Sequence, residues 1–278
     1  MADDKVLHLQ VMGGLGSRLR VVVGALAYCQ AVARRLVVHW PRIEPSETLG
    51  VFDCRLSDLY TGPFKETGTN ETHWTGVKDP SVLNEHGKFE IRFRTDNIEA
   101  FVPHMNATDY RDAFFRLWPT AELLDAMVVD GWPQKMIGIH VRYANKAPES
   151  VPAEWYVDRL DLIQLLHGNR WNVFLVCDDP SVIVSFAERF GHRLYGLAKS
   201  FEYDHLGIVR QCADMELLRR CDWMIGANHS SFSQHVALTR GATYVRDSNY
   251  QACVIGGRYE DAWCKPDAGD LAEALRVD

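Results

Sequence analysis

The segment Met136-Ile-Gly-Ile-His-Val-Arg142 is an apolar run that ends in His140 and Arg142, two residues costly to bury without partners. The run predicts a buried strand over 137–141. A permanent cation just past such a strand stands where open α/β sheets bind ligands. Arginine there offers a forked, charge-assisted contact to an anion, most naturally a phosphate. A structural Arg–carboxylate pair is the other use of the same residue.

Four further segments could carry chemistry. Val11 to Arg20 places Gly13, Gly14 and Gly16 after a predicted strand and before a predicted helix. Glycines there let backbone approach a ligand, and a helix N-terminus favours an anion. Arg18 and Arg20 in the first helical turn oppose the helix dipole, which suggests that at least one faces a ligand. A plain strand-to-helix turn would use the same glycines. In the second segment, Asp178 and Asp179 end a predicted strand before Pro180. They suit ribose hydroxyls or a base N–H; Asp179 also suits a helix N-cap. In the third, Ser230, Ser231 and Ser233 precede or open a helix, and their hydroxyls with free helix N–H groups could cradle a phosphate. An N-cap would need only one of them. In the fourth, Asp214 is expected at the head of a helix over 213–221, where an N-cap alone would account for it.

These residues need elements to hold them. Apolar periodicity predicts strands at 6–12, 36–40, 89–93, 137–141, 173–177, 194–197, 223–226 and 242–245. It predicts helices at 17–35, 53–60, 109–118, 120–129, 153–167, 181–190, 213–221, 231–239 and 267–276. Such alternation implies mostly parallel sheets covered on both faces. Gly131-Trp132-Pro133 punctuates the pattern, giving an N-terminal domain over 1–132 and a C-terminal domain over 133–278. The expected fold is α/β, with two Rossmann-like domains facing a central cleft and the final helix available to cross back.

Bulk properties narrow the function classes. The net charge of −7 gives no reason to expect a nucleic-acid or anionic-membrane partner. The longest apolar stretch, Val21 to Leu36, contains Gln30, Arg34 and Arg35, so no bilayer span is expected. The beginning Ala2-Asp3-Asp4-Lys5 is not a secretory signal. Seven scattered cysteines with no C-x-x-C pair argue for reduced thiols in a cytoplasmic protein, and against disulfides or a structural zinc. The sequons at Asn70, Asn106 and Asn228 are common by chance, and a glycan on Asn228 would block the serine loop. The glycine turn fails the dinucleotide fingerprint, because Leu19 takes the third glycine position and His39-Trp40 replace the acid that an NAD site wants. That weakens a sugar-nucleotide oxidoreductase. A P-loop G-K-[ST] is absent.

The segments GGLGSRLR (13–20), IGIHVRYANK (137–146), VCDDPSV (176–182) and DMELLRRCDWMIGANHSSFS (214–233), in this order, resemble fucosyltransferases of the α1,6 and α1,2 type. The resemblance implies a GT-B fold with GDP-fucose held mainly by the C-terminal domain. It implies that Arg142 takes the pyrophosphate and that His140 lies beside the guanine or its phosphates. Asp178 or Asp179, with Asp214, would hold the nucleoside. Ser230 and Ser231, with the loop around them, would bind the β-phosphate, Ser233 would belong to the same substrate-binding set, Lys146 would approach phosphate or fucose, and Gly14, Gly16 and Arg18 would face the cleft. It also implies metal-independent transfer, in keeping with the lack of a D-x-D motif.

The chain departs from that pattern. Relatives often carry H-x-R-R-x-D-K or H-x-R-x-G-D, where this chain has Tyr143 and Asn145. A glutamate four residues after the lysine becomes Ser150, which leaves Glu149, with Glu154 behind it, as the candidate base. The expected activity is an inverting transfer of fucose from GDP-fucose to a hydroxyl of a glycan or other small acceptor. Transfer from another nucleotide sugar, or non-catalytic binding of GDP or a sugar nucleotide, stand as alternatives.

Overall fold

The structure is a computed structural model that describes residues 5–41, 53–67, 77–142, 152–167, 171–197, 204–227, 230–240, 243–245 and 253–255. Backbone contacts divide the chain into two compact units. The first holds Met1–Met127 and Ser200–Ala213; the second holds Val128–Lys199 and Asp214–Asp278.

The first unit contains β1 (Val6–Val11), α1 (Leu15–Ala31), β2 (Arg35–His39), α2 (Leu56–Leu59), β3 (Tyr60–Thr61), β4 (Phe64–Thr67), β5 (Glu90–Thr95), α3 (Ala107–Phe114), β6 (Trp118–Pro119) and α4 (Ala121–Ala126). Its main sheet is fully parallel, in the order β4-β2-β1-β5. Leu7, Leu9 and Val11 of β1 are fully buried. α1 is buried on nearly all sides from Leu15 to Cys29 because it packs on β1, β2 and α3. β2 and β4 lie on one side of β1 and β5 on the other, so strand order reverses beside β1. The glycine turn follows β1 at this switch point, where open α/β sheets leave a crevice.

The second unit contains β7 (Met136–Val141), α5 (Ala153–His167), β8 (Asn172–Cys177), α6 (Pro180–Phe190), β9 (Leu194–Tyr195), the later part of α7 (His205–Arg220), β10 (Trp223–Ile225), α8 (Ser231–Arg240), β11 (Thr243–Val245) and β12 (Cys253–Ile255). The sheet order is β11-β12-β10-β7-β8-β9, with β10, β7, β8 and β9 parallel and β12 antiparallel to both neighbours. Every residue of β7 is buried, as its continuous apolar run predicts. A Cβ on Gly138 would stand 2.7 Å from Leu218 Cδ2 and 3.0 Å from Cys221 Sγ, so glycine lets α7 lie close against β7. Asp222 pins the start of β7, with its Oδ2 accepting from the Met136 amide at 2.9 Å.

The α/β class follows the sequence, with local differences. α7 begins at His205, eight residues before the expected 213, because Asp204 accepts from the Gly207 amide at 2.7 Å and starts the helix early. Asp214 therefore lies mid-helix rather than at a helix head. α3 is capped by Asn106 and ends at Phe114, which leaves Trp118 in a short antiparallel pair with Thr61. That capping uses the side chain of one of the three sequons. β12 is a strand that the apolar periodicity does not predict. The predicted helix over 267–276 lies outside the described residues.

Candidate functional site

β7 sits at the switch point of the second unit. From β7 the chain moves through β8 to β9 on one side, then returns through α7 to β10 on the other. The segments after β7 and β10 therefore flank the crevice where such sheets bind ligands. His140 stands at the end of β7 and Ser233 in the first turn of α8, which follows β10. Their side chains meet: His140 Nδ1 and Ser233 Oγ are 2.7 Å apart and both residues are buried. Ser233 Oγ also accepts from the Ala227 amide at 3.0 Å. One hydroxyl thus links the end of β7, the turn after β10 and the start of α8. The Phe232 ring lies 4.5 Å from the imidazole at 33°, a tilted stack that fixes the ring plane.

Gly226 makes this geometry available. A Cβ there would fall 2.8 Å from both Cβ and Oγ of Ser233. Ser230 is buried and caps α8, its Oγ accepting from the Ser233 amide at 3.5 Å. Ser231 is half-buried at the first position of the helix. The three serines therefore split into a cap, a strand-to-helix link and a more open hydroxyl.

Arg142 follows β7 directly and is half-buried. Among the described residues it has no hydrogen-bond or ion-pair partner, so the Arg–carboxylate pair weighed as the alternative is not found there. Asp179 caps α6, accepting from the Ser181 amide at 2.7 Å and the Ser181 hydroxyl at 2.6 Å. Those two hydrogen bonds hold its carboxyl below the usual carboxylate range. Of the two aspartates, Asp179 is thus occupied by the helix start, while Asp178 is half-buried just past β8. Asp214 is buried within α7. Lys146 and Glu149 lie outside the described residues.

In the first unit, Gly13 takes φ +81°, the left-handed region that favours glycine. Gly14 is the N-cap position of α1 and Gly16 lies in its first turn. A Cβ on Gly14 would meet nothing within 4 Å, so open space adjoins the turn. Arg18 is fully buried. Its guanidinium donates to the Gly13 carbonyl at 2.7 Å and the Pro41 carbonyl at 2.6 Å, and lies 5.2 Å from the Trp40 ring centre. These contacts tie the glycine turn to the end of β2, a bracing role that opposition to the helix dipole does not suggest.

No protein-family model matches the chain, and no curated protein matches it in sequence. Solved structures do match. NodZ alpha-1,6-fucosyltransferase soaked with GDP-fucose aligns with TM-score 0.64 at 16% identity, covering 91% of this chain and 100% of that one. The chain has the fold of this fucosyltransferase. Fucosyltransferase NodZ from Bradyrhizobium aligns with TM-score 0.59 at 15% identity, over 91% of this chain and 99% of that one. A mutant of Arabidopsis thaliana FUT1 in complex with GDP aligns with TM-score 0.60 at 12% identity, over 96% of this chain and 79% of that one. The α/β fold with two units is therefore the GT-B fold that the sequence resemblance implied.

Proposed function

We propose that the protein is an inverting, metal-independent glycosyltransferase that moves fucose from GDP-fucose to a hydroxyl of a glycan or other small acceptor. The observation that carries this is Arg142. A half-buried guanidinium at the switch point, without a partner among the described residues, costs free energy unless an anion completes it. In a fold shared with a fucosyltransferase soaked with GDP-fucose, a diphosphate is the anion that fits.

The residues then take these roles. Arg142 forks onto the diphosphate. Ser230, Ser231 and the first amides of α8 receive its β-phosphate, with the helix N-terminus adding a partial positive charge. Ser233 holds the His140 ring so that one imidazole edge meets the nucleotide. Asp178 and Asp214 hold the nucleoside, and Asp179 shapes the turn beside them. The acceptor oxygen forms a bond to fucose C1 as the bond from C1 to the phosphate oxygen breaks, and GDP leaves. Glu149 takes the acceptor proton, and Lys146 with Arg142 offsets the charge on the departing diphosphate. Gly14, Gly16 and Arg18 shape the first unit's turn toward the acceptor side. Five free cysteines, Cys29, Cys54, Cys177, Cys212 and Cys221, fit a cytoplasmic protein, and no helix among the described residues is long and apolar enough to cross a membrane.

Tyr143, Asn145 and Ser150 stand where relatives carry charge, which keeps non-catalytic binding of a sugar nucleotide as the second reading. Calorimetry with GDP and NAD, followed by donor turnover with and without a glycan acceptor, separates the readings. Micromolar GDP binding, no NAD binding and release of GDP from GDP-fucose are expected. GDP binding without turnover selects the second reading, and failure of GDP to bind overturns both.

A further inference from the structure

The first unit gathers a second set of reactive side chains that the proposed donor site does not use. Cys54 precedes α2, Asp58 lies within it, and His205 opens α7 in the part that belongs to this unit. One ligand atom from each lies within 4.8 Å of the other two. Cys54 is buried, and its carbonyl is fixed by the Trp40 indole N–H at 2.9 Å. His205 stands between two carboxylates. Its Nε2 is 2.8 Å from Glu122 Oε1, a hydrogen bond, whereas its Nδ1 is 3.7 Å from Asp58 Oδ2.

That second distance is informative. It is too long for a hydrogen bond. Two ligands of one tetrahedral zinc, each bonded at about 2.0–2.2 Å, stand roughly 3.4 Å apart. The Nε2 contact to Glu122 is also what a metal-bound histidine needs. Metal-ligating imidazoles nearly always donate their other N–H to a carboxylate, a backbone carbonyl or water, which orients the ring. Asp58 Oδ2 accepts from the Arg55 amide at 2.8 Å, and that holds the carboxylate in place while leaving a second lone pair for a cation.

We propose that Cys54 Sγ, Asp58 Oδ2 and His205 Nδ1 form a site for a borderline-soft divalent cation, with zinc the best match. Glu122 is the outer carboxylate that orients His205, and a water completes the tetrahedron. The set of one sulfur, one nitrogen and one oxygen selects zinc over magnesium or calcium. Binding forms an S–Zn bond and breaks the Cys54 S–H bond, with the proton released to solvent. The Asp58, Glu122, Glu66 and Asp53 carboxylates near Cys54 make the pocket attractive to a divalent cation. From 4.8 Å the ligand atoms need to close by about 1 Å to reach zinc bonding distances. The site links α2 to the start of α7, so the cation braces the first unit and takes no part in donor binding.

The test uses the whole chain, stripped with a chelator and titrated with Zn²⁺, and separately with Co²⁺ as a spectroscopic probe. One equivalent of zinc should bind at micromolar concentration or tighter and release one proton, seen as a dependence of the binding heat on the buffer. Cobalt should give a thiolate charge-transfer band. Cys54→Ser should lose that band. His205→Asn changes a partly exposed side chain, so it keeps the protein foldable, and it should abolish binding at micromolar zinc. Glu122→Gln should weaken zinc by roughly 10–100-fold. GDP affinity should be the same in all three variants. A folded parent that binds no zinc, a cobalt complex without the thiolate band, or zinc binding that survives His205→Asn would each overturn the site.

Discussion

Ser233→Ala tests the organisation of the proposed donor site most directly. The wild-type hydroxyl is fully buried and serves two groups, the Ala227 amide at 3.0 Å and His140 Nδ1 at 2.7 Å. Alanine leaves both without that partner in a place water does not reach. An orphaned buried polar group costs about 1–3 kcal/mol. Both groups are held in place, the imidazole by its stack on Phe232 and the amide by the turn. The sum expected for the second unit is about 2–4 kcal/mol. The control is Ser231→Ala, which removes a half-buried hydroxyl that has no partner among the described residues and should cost no more than about 0.5 kcal/mol. Urea unfolding measures both, with one probe in each unit because two units need not unfold together. GDP calorimetry reads the functional arm. Ser233→Ala should also weaken GDP, since the end of β7 and the start of α8 lose their common tie. The reasoning fails if Ser233→Ala stays within about 0.5 kcal/mol of the parent and binds GDP unchanged.

Arg142→Ala should abolish GDP binding at micromolar concentration and leave the unfolding curve in place, and Arg142→Lys should be nearly as harmful because a point charge cannot reproduce a fork; calorimetry checks both. Gly226→Ala forces a methyl to 2.8 Å from Ser233 Cβ and should cost about 1–3 kcal/mol in urea unfolding, whereas Gly14→Ala meets nothing within 4 Å and should be close to neutral. Acid should destabilise the first unit through His8. Burial holds its pKa below the ordinary imidazole value, with Glu90 opposing and Arg92 adding. The unfolded chain therefore takes up a proton that the folded state resists, so stability present above about pH 6.5 is lost as pH falls from there toward the lowered folded value. Unfolding midpoints between about pH 7.5 and pH 5.5 should fall less in His8→Gln than in the parent.

The parts of this fold that are legible in the sequence share a physical cause. β7 is buried along its whole length, so its apolar run stands out among the residues around it. His140 and Arg142 interrupt that run at its end, and such a polar break in a buried strand is what singles them out in the sequence. The glycine turn, the Asp179-Pro180 start and the serine-rich start of α8 are local signals of a few residues each. The position of Asp214 is not legible, because Gly207 in the first turn of α7 hides the helix that Asp204 begins. The role of Ser233 shows only as an excess of hydroxyls, since its partner His140 is 93 residues away. Arg18 meets the same limit. Its position against the dipole is readable, but the Pro41 carbonyl that receives it depends on how β2 returns beside β1.

Cysteine spacing could not point to the site proposed in the first unit, for a related reason. Spacing rules find a metal site when its ligands come in close pairs along the chain, because a short loop can then close on the ion. Cys54 and Asp58 are close in sequence, but the histidine comes from position 205. The chain supplies it only because residues 200–213 return to the first unit after about half of the second has been built. The loop between such ligands is long, and a bond that closes a long loop removes more freedom from the unfolded chain than one closing a short loop. A zinc ion on Cys54, Asp58 and His205 would therefore raise the unfolding midpoint of the first unit, where a ligand set confined to residues 54–58 would do little. Chelation should lower that midpoint in the parent and leave it unchanged in His205→Asn, and an equal shift in both would place the cation elsewhere.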